Sequence, residues 1–197
     1  MNIKEFFKLL KMDVHRYGFE GESKKAFLLS PSMMITFWLR IGSWLQSKKN
    51  LFAKIAIIPV KTIYKFNALL TGIQFPIGTQ LFFFFGGGIR FKHYSGIVIA
   101  GSVVVGENCT IHHDVTIGRV FNGKKSGVPT LEDHVVIFPG AKIIGNVHIG
   151  SHAVIGTNAV VINDVPPYAV VAGNPANVVS SDSRKCFDEY WSKAFDF

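Results

Sequence analysis

Aliphatic side chains recur on a six-residue phase through the second half of the chain. Ile99, Val105, Ile111 and Ile117 are six apart, and after an interruption Leu131, Ile137, Ile143, Ile149, Ile155 and Val161 resume the spacing. Two residues ahead of most of them stands a compact side chain: Ile97, Val103, Cys109 and Val115, then Val135, Ala141, Val147, Ala153 and Ala159. Gly follows the aliphatic site directly at Gly106, Gly118, Gly150 and Gly156. A helix needs a spacing of about 3.6, and a hairpin sheet alternates without an accent on every sixth residue, so the pattern predicts neither. It predicts a β-solenoid with flat faces, in which each hexad is a short strand pointing one aliphatic residue inward. The turn that follows is one where Gly or Asn tolerates a positive φ.

Between Ile117 and Leu131 the beat lapses for fourteen residues, two more than a pair of hexads, and RVFNGKKSGVPT there is polar, basic and glycine-bearing. This segment is expected to loop out of the solenoid, and loops on rigid scaffolds are where sites are commonly assembled. Upstream, Ser30 is placed to cap a helix with Pro31 at its first position, after which Met34, Trp38, Ile41 and Leu45 share one face. A second apolar and basic stretch, LFAKIAIIPVKTIYKF, is expected to be broken by Pro59. The chain therefore divides into a helical extension (1–71), a solenoid (72–179) and a tail (180–197).

The stretches GIVIAGSVVVGENCTIHHDVTIG and GAKIIGNVHIGSHAVIGTNAVVINDVPPYAVVAGNPANVV closely resemble the hexapeptide-repeat acetyltransferases, in the branch around serine acetyltransferase and the polysaccharide O-acetyltransferases. The resemblance covers roughly residues 72 to 180, and VPPYAVVAGNPA is its most specific part. It implies a mainly β fold, a left-handed parallel β-helix with an N-terminal helical extension. It also implies a homotrimer with active sites in the clefts between subunits, and acetyl-CoA as donor. No metal is expected, since His112 and His113 are followed by no third ligand at suitable spacing.

Composition narrows this further. With 48% hydrophobic residues over 197 positions, one sizeable core is expected. All of the formal net charge of +8 belongs to residues 1–67, while the remainder is balanced. No recognised nucleic-acid motif accompanies that charge. Two readings of the extension stand open: helices packed on the solenoid and on neighbouring subunits, or in-plane contact with anionic lipid through residues 1–67. The charged start MNIKEFFKLLKMD is unlike a signal peptide, and Cys109, inward on a hexad, and Cys186, in the tail, suit a reducing cytoplasm.

The chemistry needs a base beside an acceptor hydroxyl, because an alcohol is too weakly acidic to attack a thioester unaided. His93, followed by Tyr94, Ser95, Gly96 and Ile97, matches the family's catalytic His. His113 is a second candidate, for orienting the acceptor or acetyl group, against the reading of a solvated turn. His134, His148 and His152 read as surface residues. Lys92, Tyr94 and Asp114 are expected near the acceptor. For the donor, the resemblance points to Pro139, Gly140, Ala141, Gly156 and Thr157, with Gly118 near the thioester and Asn163 and Asn177 toward the nucleotide.

Serine acetyltransferases pair the catalytic His with an upstream Asp, where this chain reads Ile73, Gln74, Phe75, Pro76, and their acceptor-gripping charges are replaced by Lys92 and by Ser126, Gly127 and Val128. The expectation is therefore a sugar hydroxyl as acceptor, in capsule, exopolysaccharide or O-antigen assembly. The alternatives are a serine O-acetyltransferase of cysteine biosynthesis, or a solenoid scaffold without catalysis.

Overall fold

The computed structural model describes residues 1–18, 30–48, 50–74, 85–93 and 95–185. The expectations for Tyr94, Phe75, Pro76 and Cys186 lie outside the described residues. Strands β1 (Arg90–Lys92), β4 (Thr110–His112), β7 (Val136–Ile137), β10 (Val154–Ile155) and β12 (Val170–Ala172) stack in parallel as a first face. The second face stacks β2 (Val98–Ile99), β5 (Thr116–Gly118), β8 (Lys142–Ile144) and β11 (Val160–Val161), and the third stacks β3 (Val104–Val105), β6 (Thr130–Leu131) and β9 (His148–Ile149). Each coil contributes one strand per face, and the fold is the left-handed parallel β-helix. β13 (Asn177–Ser180) turns back antiparallel on β12 and covers the edge of the first face.

The register explains the sequence beat. Ile111 lies over Ile137 and Ile155, Ile117 over Ile143 and Val161, and Leu131 over Ile149. Each of these side chains is at most 2% exposed, so the aliphatic columns fill the triangular interior. The compact residues two positions earlier, Cys109 and Ala141 among them, line the corners from within. At full burial, desolvation pushes the Cys109 thiol up to about 12, as for a structural rather than a reactive cysteine.

Two local expectations are corrected. The glycines that follow the aliphatic sites do not take the positive φ, which falls instead on Ser102, Asn108, Asp114, His134, Gly140, His152, Asn158 and Tyr168. Gly106 and Gly150 are required for close approach, since a Cβ would stand 2.5 Å from backbone carbon of Glu132 and 2.4 Å from Pro167 nitrogen. The excursion is also longer than inferred. Leu131 to Ile149 is one coil of eighteen residues, whereas Val105 to Leu131 takes twenty-six, so eight residues are inserted after a single hexad. Counting from the flanks cannot separate twelve plus two from six plus eight when the segment carries no aliphatic marker. Val120 and Gly127 pair antiparallel within it.

At the corner between the third and first faces, left-handed residues of successive coils stack their rings. His134 lies on His152 at 4.6 Å, His152 on Tyr168 at 4.7 Å, and the Arg184 guanidinium caps Tyr168 at 5.0 Å. His134 and His152 are thus half-buried column members rather than free surface residues, whereas His148 is exposed and paired with Glu132 at 2.8 Å. Burial depresses the His134 pKa to about 4 and lowers that of His152.

The extension forms α1 (Ile3–Gly18), α2 (Pro31–Gln46) and α3 (Leu51–Thr71). Ser30 stands at the N-cap of α2 without a side-chain capping bond. Of the face expected on α2, Trp38, Ile41 and Leu45 pack with Ala53 and Val60 of α3, but Ile35 and Leu39 on another side of α2 join the solenoid core, so this helix is apolar on more than one face. Pro59 does not break α3, which runs unbroken through it. It lies on the exposed side, where water can reach the carbonyl that loses its donor. Gly72, left-handed, ends the helix, its N–H bonded to Ala68 O at 2.9 Å.

A buried ion pair clamps the extension to the first coil. Arg40 donates from Nε to Asp13 Oδ2 at 2.7 Å and from Nη1 to Phe85 O at 2.7 Å, while Asp13 Oδ1 accepts from Gly88 N at 2.9 Å and Ile89 N at 3.2 Å. Arg16 Nη2 donates to Thr110 Oγ1 at 2.9 Å, and Phe91 N donates to the Tyr17 hydroxyl at 3.0 Å. No helix among the described residues is long and apolar enough to cross a membrane.

Arg40→Met should destabilise the protein by about 3–5 kcal/mol, read as a lowered urea midpoint, because it leaves the Asp13 charge buried without its partner. The His134 column gives a pH signature. Its folded pKa lies below the ordinary 6.5, so unfolding takes up a proton, and the stability present above that value is lost as pH falls toward about 4. The urea midpoint should therefore drop between about pH 7 and about pH 4.5, with a shallower slope in His134→Asn, which also tolerates the left-handed backbone.

Candidate active site

The corner between the first and second faces collects the residues expected to be chemical. His93, Ser95 and Gly96 sit above His113 and Asp114, these above Pro139 and Gly140, and these above Thr157 and Asn158. The coils are tied by Asp114 N to Ser95 O at 2.7 Å, Gly140 N to His113 O at 3.1 Å and Asn158 N to Pro139 O at 2.9 Å. His93 follows β1 directly with a left-handed φ of 54°, which turns an exposed imidazole out from the end of the strand. At the stacked turn position of this corner Gly96, Asp114, Gly140 and Asn158 are also left-handed, one over the next. At Gly140 a Cβ would collide with the Asn158 side chain, so packing demands glycine there.

Three imidazoles meet at the top of this corner. The His93 ring is 6.0 Å from that of His113 and 6.5 Å from that of His112. His112 stands beside Lys92 in the β1–β4 register and stacks on Phe138 at 5.0 Å, nearly parallel. Its Nδ1 is 2.8 Å from Ile137 O; a carbonyl can only accept, so Nδ1 carries the proton and Nε2 keeps its lone pair. Burial lowers the His112 pKa, and the Lys92, His93 and His113 charges lower it further against the opposing hydrogen bond. His112 is therefore neutral at pH 7 and adds no repulsion against a protonated His93. His113 keeps a buried Nδ1 with no hydrogen-bond partner among the described residues. Below it Lys142 Nζ donates to Asp114 O at 2.5 Å and reaches Asp114 Oδ1 at 3.2 Å, an exposed pair of opposite charges beside the His93 turn.

The remaining expected residues divide. Pro139, Gly140, Gly156 and Thr157 run down the same corner, and Thr157 is exposed. Ala141 points into the core, and its backbone groups bond within the solenoid, to Phe138 O and from Thr116 N. Gly118 and Asn163 lie at the next corner, between the second and third faces, with Gly145 N bonded to Gly118 O at 3.0 Å. Ser126, Gly127 and Val128 belong to the excursion at that corner, Ser126 Oγ bonding Phe121 O at 3.0 Å, and so do not line the His93 turn of their own chain. Asn177 opens β13, its side chain donating to Pro175 O at 3.1 Å. The residue that the sequence reading left without a role is His112. Its only signal was adjacency to His113, because which of two neighbouring side chains is buried depends on Phe138 from the next coil.

Comparison with known proteins agrees with this architecture. The family model described as bacterial transferase hexapeptide (six repeats) matches residues 129–163. A serine acetyltransferase of Synechococcus elongatus is 34% identical over 79% of this chain and 59% of its own length. The chain thus spans about three-fifths of that relative. A serine acetyltransferase of Bacillus licheniformis is 32% identical over 91% of this chain and 81% of its own length. A solved serine acetyltransferase in complex with CoA superimposes with a TM-score of 0.72 at 25% identity, covering 90% of this chain and 71% of that one.

These relatives overturn the expected sugar acceptor and the place in capsule, exopolysaccharide or O-antigen assembly, and favour the serine acetyltransferase alternative. The expectation rested on charges absent at Lys92 and at Ser126 to Val128. The structure supplies a charged pair the sequence reading had not joined, Asp114 and Lys142, at the corner that carries His93. With identity sustained over nearly the whole chain and the six-residue repeat folded as a left-handed β-helix, the chain belongs to the hexapeptide-repeat acetyltransferase family.

Proposed function

We propose that this chain is an acetyl-CoA-dependent serine O-acetyltransferase. The observation that carries the reading is the exposed His93 set one turn from a pair of opposite charges. Asp114 matches the ammonium of an amino acid, Lys142 and Lys92 match its carboxylate, and His93 is left facing the hydroxyl. The names of the relatives support the same acceptor.

In the proposed reaction His93 takes the hydroxyl proton as the serine oxygen attacks the acetyl carbonyl of acetyl-CoA. The tetrahedral intermediate then expels the CoA thiolate, which recovers that proton, leaving O-acetylserine and CoA. Neutral His112 beside the imidazolium avoids a like-charge penalty, and His113 presents a further nitrogen to the acetyl group or acceptor. The donor lies along the corner at Pro139, Gly140, Gly156 and Thr157, where backbone and small side chains allow close approach. Gly118 and Asn163 sit at a different corner, so they join the site when the second corner of a neighbouring copy faces the first. This supports a homotrimer with an inter-subunit cleft, in which a backbone N–H near Gly118 meets the oxyanion.

Free CoA release with L-serine as acceptor is the direct test: turnover is expected, and none above hydrolysis would refute the assignment. His93→Ala should lower kcat about 10²- to 10⁴-fold with acetyl-CoA affinity unchanged. Asp114→Asn and Lys142→Gln should each raise KM for L-serine about tenfold or more, as loss of one charge-assisted contact of roughly 1.5–3 kcal/mol requires, with little change in KM for acetyl-CoA.

A further inference from the structure

α3 is inverted relative to an ordinary surface helix. Its buried stripe is narrow and small, formed by Ala53, Val60, Tyr64 and Thr71 at i, i+7, i+11 and i+18. On the outward side Phe52, Ile55, Ile58, Phe66, Leu69 and Leu70 are 59% to 80% exposed, where polar residues belong on a solvated helix. Lys54, Lys61 and Lys65, again i, i+7 and i+11, form a row along one margin of that apolar face, and the helix contains no acidic residue. At 1.5 Å per residue its 21 residues make an apolar strip about 30 Å long, beyond what a solvated surface normally leaves open.

A second feature adjoins the same margin. A cleft between α2 and α3 has Leu45, Ala53 and Ile57 as its apolar floor and Lys48, Lys54 and Lys61 at its rim. Three ammonium groups around an apolar floor, opening beside an apolar strip, suit an anionic headgroup whose acyl chains follow the strip. Against a second copy of this chain stands the charge: residues 1–67 carry +8, and juxtaposing two such helices sets lysine rows against each other. α3 is too charged and too short in its apolar runs to span a bilayer but has the composition of a helix lying in the interface plane.

We propose that α3 docks the protein in the plane of an anionic lipid surface, its apolar strip entering the acyl boundary and the lysine-rimmed cleft holding phosphate headgroups. The test is co-sedimentation of the full chain with vesicles of phosphatidylcholine alone or with about 30% phosphatidylglycerol, at about 0.1 M salt. Binding should be at least about tenfold tighter to the anionic vesicles. The triple variant Lys54→Gln, Lys61→Gln, Lys65→Gln should erase that difference. The variant Phe52→Gln, Phe66→Gln, Leu69→Gln should weaken binding to both vesicles about tenfold. These side chains are outside the core, so the helical circular dichroism of each variant should match the parent. Failure of the parent chain to sediment with either vesicle would overturn the proposal, as would binding that survives both variants. So would an apolar-strip variant that splits the assembly in light scattering while the parent ignores vesicles, which would make the strip a contact between copies.

Discussion

A single coil of this solenoid buries almost nothing by itself. Its inward aliphatic residues are covered only when another coil is laid on top in the same register, so Ile111 needs Ile137, and Ile137 needs Ile155. That requirement holds neighbouring strands at about 4.8 Å and forces the chain to advance by the same rotation in each turn. Corners therefore stack as regularly as faces, and a residue placed at a corner acquires a fixed neighbour one coil away. His93 stands above His113, Asp114 above Gly140 and Gly140 above Asn158 for this reason. The site is a consequence of core packing before any of its side chains interact.

A stack of this kind has two raw ends, and the chain covers both. At the start Ile35, Leu39 and Tyr64 extend the same core beyond the first coil, joining the extension to the solenoid. The Asp13–Arg40 pair supplies orientation rather than net adhesion. Two buried charges are costly to desolvate, and their value lies in the four backbone groups of residues 85, 86, 88 and 89 that only this arrangement satisfies. At the other end β13 reverses direction and occupies the edge of β12, which would otherwise invite another strand.

The two ring-bearing corners put the same backbone to different uses. Left-handed residues recur at both because each turn must close within a hexad, and for His93, His134 and His152 the residue is histidine. At the third-to-first corner the rings lie flat on one another and burial keeps them neutral, which favours stability near neutral pH. At the first-to-second corner His93 is exposed and tilted steeply against His113. Stacked rings make a structural column; the tilted, exposed ring stays open to a ligand.

The six-residue beat was enough to establish a β-solenoid, the inward residues, the existence of an excursion and, with the motif around His93, the candidate base. These are legible because they repeat: each aliphatic position faces the same environment in every coil, and the pattern records it. Tertiary structure alone decided the length of the excursion, the continuity of α3 through Pro59, the second buried side of α2 and the role of His112. It also decided which charges flank His93. Asp114 and Lys142 are 28 positions apart and no periodicity joins them. Periodicity reports what a residue has in common with its repeats. A site is made from what one coil has and the others lack, and only the folded stack brings those exceptions together.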